Sequence, residues 1–158
     1  MDTFDWLLML HITGAFLLVA GSVAAGVLNT LALRAERPSE AALLLRLIKR
    51  VVPLIGVGSV AALVFGIWLV FQQDGIDFFS FWILAAIVLW LIMGALGGAG
   101  GKHQERAREL AERLAAQGDA TTDELRALLR DRRGNAMSWL AGVATILILV
   151  DMFWKPGQ

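Results

Sequence analysis

The sequence predicts an all-α membrane protein: an up-down bundle of four transmembrane helices, with a small helical hairpin between the third and fourth helices. Two observations support this fold class. The 158-residue chain is 58% hydrophobic and has a mean hydropathy of +0.67, well above the balance of a soluble globular protein. Its charged residues are also grouped into blocks that separate four apolar runs, each long enough to provide the roughly 20 residues that cross a bilayer.

The four apolar runs predict four membrane spans within a single integral membrane domain, residues 1–158. The spans lie at about 6–33, 51–71, 79–98 and 136–154. Each is interpreted as a helix, because lipid offers no partners for free backbone N–H and C=O groups. The first run is too long for a signal peptide and follows Asp2 and Asp5, where a signal would be basic, so a retained helix is predicted.

Lysine and arginine are concentrated in two of the loops, and this bias predicts the orientation. Thirteen of the 14 basic residues fall in loops 34–50 and 101–135, and the other one is Lys155. Loops rich in Lys and Arg stay on the cytoplasmic side. We therefore predict a multi-pass protein of a bacterial inner (plasma) membrane, with both loops cytoplasmic and both termini outside.

Both basic loops contain helix-forming sequence. Residues 39–50 start with an N-cap serine and interleave leucines with bases, which predicts an amphipathic segment at the headgroup level before a kink at Pro53. In the hairpin, residues 102–133, Thr121 and Glu124 have the spacing of a capping box. The hairpin is either a solvated connector or a docking surface for a partner. Leucines from its two helices are expected to meet: Leu110 and Leu114 with Leu125, Leu128 and Leu129.

Small residues follow one face of the first span, and His11 lies on that face. At helical spacing the face consists of His11, Gly14, Ala15, Leu18, Gly21, Ser22, Ala25 and Asn29, opposite Phe16, Val23 and Val27. His11 is therefore predicted to point into the bundle. Further small-residue patterns in the second and third spans predict close helix packing, mainly within the bundle, with a homodimer as the alternative. These are Gly58, Ala62 and Gly66, then Gly94 with Gly98 and Gly97 with Gly101.

His11 and Asp151 are the candidate site residues, because polar groups at membrane depth usually pair or mark a function. At about 1.5 Å per residue, His11 lies roughly 7–8 Å and Asp151 roughly 4–5 Å below the outer surface. A His11–Asp151 contact is the first structural hypothesis. The alternatives are a haem b or copper site that also uses Met9 or Met152, and proton or small-solute handling. His103 lies near the opposite surface and is expected to be exposed at a helix junction.

Several function classes are excluded by composition and motifs. The chain has no cysteine, which excludes disulfides, thiolate metal sites and cysteine nucleophiles. Its formal net charge is zero, so nothing predicts nucleic-acid binding. It lacks a paired-histidine helix motif, a phosphate loop and a serine-nucleophile elbow. The sequence therefore leans away from an enzyme and specifies no reaction.

The stretches "WLLMLHITGAFLLVAGSV", "VVPLIGVGSVAALVFGIWLV" and "FSFWILAAIVLWLIMGAL" resemble a family of small bacterial predicted integral membrane proteins of unknown function. In outline the chain is also similar to the copper-resistance D type and to the four-helix, haem-dependent membrane protoporphyrinogen oxidase. The shared features are His11, Pro53, Gly66, Trp68 and Leu69. The resemblance implies His11 as a haem ligand. It does not carry over the oxidase activity, because the third span has neither the lysine nor the histidines of that pattern.

The leading prediction is thus a membrane-embedded binding protein whose site near the outer leaflet is built around His11. Haem or copper is the expected ligand, with Met152 as a further haem ligand and Asp151 and Met9 as further metal ligands. The alternative is a non-catalytic accessory subunit of a larger membrane complex. The expected partners are the lipid bilayer and either a second copy or that complex.

Overall fold

The computed structural model describes residues 2–73 and 77–155, which form five helices. They are α1 (Thr3–Ala32), α2 (Pro38–Phe71), α3 (Phe81–Ala116), α4 (Asp123–Leu129) and α5 (Arg132–Trp154). Nearly all of each apolar run lies in α1, α2, α3 or α5, and the described residues contain four helical segments long and apolar enough to cross a membrane. The described residues contain no strand. The predicted fold class, a four-span helical bundle, is confirmed.

The membrane-spanning helices that follow one another in the chain pack side by side, and only the short α4 separates α3 from α5 in sequence. The most extensive contacts join α1 to α2 and α3 to α5, a smaller contact joins α2 to α3, and α1 and α5 also touch. On α1 the predicted inner face is buried at Gly14, Leu18 and Gly21. Phe16 and Val23, on the opposite face, are exposed where lipid would cover them. The predicted rotation of α1 is therefore confirmed.

The two longest helices, α2 and α3, extend well beyond the length that a bilayer requires. With 34 and 36 residues, α2 and α3 extend about 51 and 54 Å, against a hydrocarbon core of about 30 Å. The start of α2 and the end of α3 extend past the other spans and pack with α4 at one end of the bundle. We call this part of the protein the polar layer. Its apolar centre is formed by Ala32, Ala41, Ala42, Leu45, Ile48, Ala107, Leu110, Ala111, Leu125 and Leu129. The predicted meeting of hairpin leucines is confirmed there, because Leu114 and Leu128 pack against this cluster.

The segment before the second span differs from the prediction. Residues 39–50 are the first part of α2, which continues as one helix through Pro53. Ala41, Ala42, Leu45 and Ile48 of this segment are buried against α3 and α4, whereas Leu43 is 56% exposed. The helix starts at Pro38 after the N-cap residue Arg37, and Ser39 is already helical. Proline is favoured in the first turn because the N–H it lacks has no helical acceptor there.

The predicted capping box at the start of α4 is wrong by one residue. The N-cap is Thr122, whose hydroxyl accepts a hydrogen bond from the Leu125 amide at 3.3 Å. Thr121 instead donates its hydroxyl to the Glu36 carbonyl at 2.7 Å. The threonine is used for a long-range contact with the α1–α2 connection, which local spacing does not reveal.

An ion-pair network holds the polar layer together. Arg108 donates to Glu105 at 2.7 Å and to Glu112 at 2.6 Å, while Lys49 and Arg46 of α2 bind the same two carboxylates at 2.8 and 3.1 Å. Hydrogen bonds from Arg108 and then Lys49 lower the pKa of Glu105 from 4.5 to about 2. Hydrogen bonds from Arg108 likewise lower the pKa of Glu112. The network therefore fixes the extended part of α2 against α3.

Candidate functional site

Glycines bring α1 and α2 into backbone contact. A Cβ atom on Gly14 would lie 2.6 Å from the Ala62 nitrogen, and one on Gly58 would lie 2.6 Å from the Leu18 nitrogen. Backbone atoms at such distances cannot move aside, so the close approach requires glycine at both positions. The small residues of the second span therefore pack within the bundle, as predicted.

This crossing sets His11 against α2. His11 precedes Gly14 by one helical turn, and its Nδ1 lies 2.7 Å from the Ala62 carbonyl oxygen. A Cβ atom on Gly66 would lie 2.9 Å from the Nδ1 and Cε1 atoms of the ring. Gly66 thus leaves the space that the imidazole fills, and Ala62 orients it. The half-buried His11 faces the inside of the bundle, as predicted.

The hydrogen bond to Ala62 fixes the tautomer of His11. A carbonyl oxygen can only accept, so Nδ1 carries the hydrogen and donates it. In the neutral ring Nε2 then keeps its lone pair, and it makes no hydrogen bond within residues 2–73 and 77–155. An imidazole whose Nδ1–H is donated to a backbone carbonyl has the arrangement that metal-ligating histidines use.

The predicted pairing of His11 with Asp151 is wrong. His11 is hydrogen-bonded to α2, and the Oδ2 atom of Asp151 is buried without a hydrogen-bond partner in the described part of the chain. Matched depth and inward-facing positions favoured the pair. The pair does not form because the close crossing of α1 and α2 turns Nδ1 of His11 toward the Ala62 carbonyl.

Met9 and Met152 lie in different surroundings from His11. Met9 is 41% exposed and two residues from His11, a spacing that places two side chains on different faces of a helix. Met152 packs against Val70, Trp82 and Ile83 where α2, α3 and α5 meet. The described residues contain no group of three or more His, Cys, Asp or Glu side chains that could hold a metal ion.

Trp82 is buried although its position near a span end is typical of a lipid-facing aromatic belt. It is 5% exposed, and its Nε1 has no hydrogen-bond partner among the described residues. The ammonium of Lys155 lies 5.4 Å from the centre of its ring. Trp90 lies eight residues later on α3. It donates its Nε1–H to the Ser59 hydroxyl at 2.7 Å and so links α3 to α2.

His103 is not the exposed residue that was expected. Its side chain is 18% exposed, and Nε2 donates to the Leu128 carbonyl at 2.7 Å. Nδ1 lies 3.8 Å from Oδ2 of Asp131, and the ring occupies the space beside Gly134. His103 therefore ties α3 to α4 and α5 in the polar layer. Sequence spacing does not reveal this role, because the ring binds a backbone carbonyl and fills the space that Gly134 leaves open.

The family comparison covers nearly the whole chain. The model of the DUF2269 family, described as a predicted integral membrane protein, matches residues 5–156. The chain belongs to the DUF2269 family. No curated protein and no solved structure matches it.

The resemblance to small predicted integral membrane proteins is thereby confirmed, and the structure of this DUF2269 protein explains two of its features. His11 and Gly66 are 55 positions apart in the chain, yet the imidazole ring of one fills the space left by the other. Their joint occurrence therefore has a steric basis. Trp68 is half-exposed and takes no part in this contact.

The glycines of α3 pack less than predicted. In the DUF2269 protein a Cβ atom on Gly100 would lie 2.5 Å from the Ser138 hydroxyl of α5, and one on Gly97 would lie 4.0 Å from Cβ of Ala141. A Cβ atom on Gly94, Gly98 or Gly101 would meet nothing within 4 Å. The Gly94–Gly98 pair therefore faces outward and does not contribute to packing within the described chain.

Proposed function

We propose that this DUF2269 protein binds haem through Nε2 of His11, near the membrane surface at the end opposite the polar layer. The supporting observation is the 2.7 Å hydrogen bond from Nδ1 to the Ala62 carbonyl, which leaves Nε2 as a ligand atom in a fixed direction. A histidine bound in this way is the usual proximal ligand of a haem iron.

The donor set favours haem over copper. A haem iron already has four porphyrin nitrogens and needs one axial side chain from the protein, whereas a copper ion needs several protein ligands. Met9 lies on another face from His11, Asp151 forms no hydrogen bond with the ring, and Met152 packs in a separate apolar cluster, so no copper ligand set surrounds His11 among the described residues. Met152 remains the candidate for a second axial ligand. Bound haem would supply one-electron chemistry, while Ala62 and Gly66 hold the imidazole in place.

The test is an absorption spectrum of the purified protein after expression with haem supplied. The chain has only two histidines, so His103→Gln is a matched control for His11→Ala. The expected result is a Soret band that is lost in His11→Ala, retained in His103→Gln and shifted in Met152→Leu if that sulfur is the second ligand. Absence of the band in the parent, or its persistence in His11→Ala, would contradict the proposal.

The proposed orientation places the polar layer in the cytoplasm and both termini outside a bacterial plasma membrane. It rests on the confinement of 13 of 14 basic residues to residues 34–50 and 101–135. Because the chain has no cysteine, single thiols at Thr3 and at Arg113 can report each side separately. In intact cells, an impermeant maleimide should label Thr3→Cys but not Arg113→Cys. The reverse pattern would overturn the orientation.

A second candidate function is an accessory subunit that docks on another membrane helix. The open side of Gly94, Gly98 and Gly101 supports it, because small residues let a neighbouring helix approach closely. Cross-linking through a thiol at Gly98→Cys would test this possibility. A discrete cross-linked complex in membranes, together with no Soret band in the parent, would favour the accessory role over haem binding.

A further inference from the structure

Five exposed cations lie on α2, α3 and α5 where the polar layer meets the membrane, and they are independent of the His11 site. We call them the basic rim: Arg50 of α2, Lys102 and Arg106 of α3, and Arg132 and Arg133 of α5. They form no salt bridge with any residue of 2–73 or 77–155. We propose that the basic rim binds the phosphate groups of anionic phospholipids in the adjoining leaflet.

The helix lengths place these cations at the depth of the headgroups. Phe71, Phe81 and Trp154 are the ends of α2, α3 and α5 that lie opposite the polar layer. About 20 residues span roughly 30 Å of hydrocarbon, so the other membrane boundary of each helix lies about 20 residues from these ends. Each of these three boundaries lies within two residues of a cation. Those cations are Arg50, Lys102 and Arg133.

Hydrogen bonds between helices also indicate that the cations of the basic rim lie at one depth. Gln104 of α3 donates to Asn29 of α1 at 2.9 Å, and Asn29 donates to Asn135 of α5 at 3.3 Å. These three residues lie at one depth, within three residues of Lys102 on α3 and Arg133 on α5. The cations of two different helices are therefore in register at the membrane boundary.

The acidic residues nearest this boundary on α3 and α5 are Glu105 and Asp131, and both are already engaged. Glu105 and Glu112 bind Arg108, Lys49 and Arg46. The Asp131 carboxylate accepts a hydrogen bond from the Gly134 amide at 2.8 Å and lies beside His103. Glu109, three residues after Arg106 on α3, forms no salt bridge with it, so the basic rim has no anionic partner among the described residues.

The phosphodiester groups of lipids carry the negative charge that would neutralise the basic rim. Arginine presents donors that match phosphate oxygens, and lysine provides a mobile cation. Juxtamembrane clusters of Lys and Arg attract anionic lipids over a distance of about a Debye length. Lys102 and Arg106 are four residues apart on one exposed face of α3, so both can reach a single headgroup.

The experiment measures lipid preference with the full-length protein in phosphatidylcholine vesicles. Trace spin-labelled phosphatidylglycerol or phosphatidylcholine reports the motionally restricted fraction by electron spin resonance. The parent should prefer phosphatidylglycerol, and Lys102→Gln with Arg106→Gln should lower that preference by about fivefold or more. Added salt should weaken the preference of the parent.

The matched control removes the same charge away from the boundary. Arg34 and Arg113 are exposed and lie about 10 Å or more farther from the membrane than Lys102, judged by helix rise and the Asn29–Gln104 contact. Arg34→Gln with Arg113→Gln should retain most of the preference. Equal binding of the two lipids by the parent, or an equal loss in both double variants, would overturn the proposal. Displacement of the restricted phosphatidylglycerol by inorganic phosphate would show a soluble anion site and would also overturn it.

Discussion

The Asp119 carboxylate caps the start of α2 by accepting two hydrogen bonds from Ser39, one from the amide at 2.7 Å and one from the hydroxyl at 2.6 Å. The N-cap residue of that helix, Arg37, makes no side-chain cap of its own. Asp119 reaches this position with a backbone φ of 61°, directly after Gly118 with a φ of 111°. A helix terminus is thus completed by a residue 80 positions later in the chain.

Replacing Asp119 by alanine should lower the melting temperature, because the first turn of α2 loses its acceptor. The Ser39 hydrogen bonds lower the pKa of Asp119 below 3.8, so its stabilising contribution is full above that pH and is lost as the pH falls through the lowered pKa. Asp119→Asn is the control, since asparagine keeps an acceptor and tolerates the left-handed conformation. Thermal unfolding in detergent at neutral pH measures both variants. Equal melting temperatures for alanine and asparagine would contradict the capping role.

Gly58→Ala should destabilise the bundle by about 1–3 kcal/mol, the usual cost of overpacking. The added methyl group would lie 2.7 Å from the Gly14 carbonyl oxygen and 2.8 Å from Cβ of Leu17, which forces α1 away from α2. Gly56→Ala, two residues earlier on the same helix, would meet nothing within 4 Å and should be tolerated. Unfolding of both variants in mixed micelles provides the comparison. Helix propensity favours alanine over glycine equally at both positions, so equal stability of the two variants would contradict the close crossing at Gly58.

Arg108→Leu should destabilise the polar layer by about 1–3 kcal/mol at neutral pH, because it leaves two carboxylates without their central cation. The pKa of Glu105 is lowered to about 2, so the network contributes fully above about pH 4.5 and weakens as the pH falls toward 2. Acidification through this range should therefore destabilise the parent more than the variant.

The control for Arg108 is Arg126→Leu, which removes an exposed pair with Asp123 at 3.8 Å. Such exposed pairs contribute little, so this variant should keep both the stability and the pH dependence of the parent. Denaturant unfolding at several pH values tests the two together. If Arg108→Leu retained the acid sensitivity of the parent, the network would not be its source.

Trp90→Phe should cost more stability than Trp82→Phe, by about 1 kcal/mol. The change is chemically identical at both sites, but Trp90 loses a hydrogen bond to Ser59, whereas Trp82 loses a donor that has no partner among the described residues. Trp82 is the more buried of the two, so the lost ring area opposes the predicted order, and a larger cost at Trp90 can be assigned to its hydrogen bond. The two melting curves are compared under one set of conditions, and a larger cost at Trp82 would contradict the prediction.

Much of the architecture follows from local features of the chain. The four apolar runs can only be helices in lipid, and the spacing of Gly14, Leu18 and Gly21 defines the inner face of α1. Helical spacing also predicts correctly that the leucines of the two hairpin helices meet. The candidate site was predicted less well: His11 was expected inside the bundle, where it lies, but its partner was expected to be Asp151. The hydrogen-bond acceptor is a backbone carbonyl, which has no sequence signature.

The sequence by itself determined the number of spans, the rotation of α1 and the segregation of charge, because each depends on apolar length or on the helical period. Only the tertiary structure decided which groups meet: His11 with Ala62, His103 with Leu128, and Asp119 with Ser39. These contacts join residues distant in the chain. Their geometry depends on how closely two backbones approach, which glycine permits but helical periodicity does not specify.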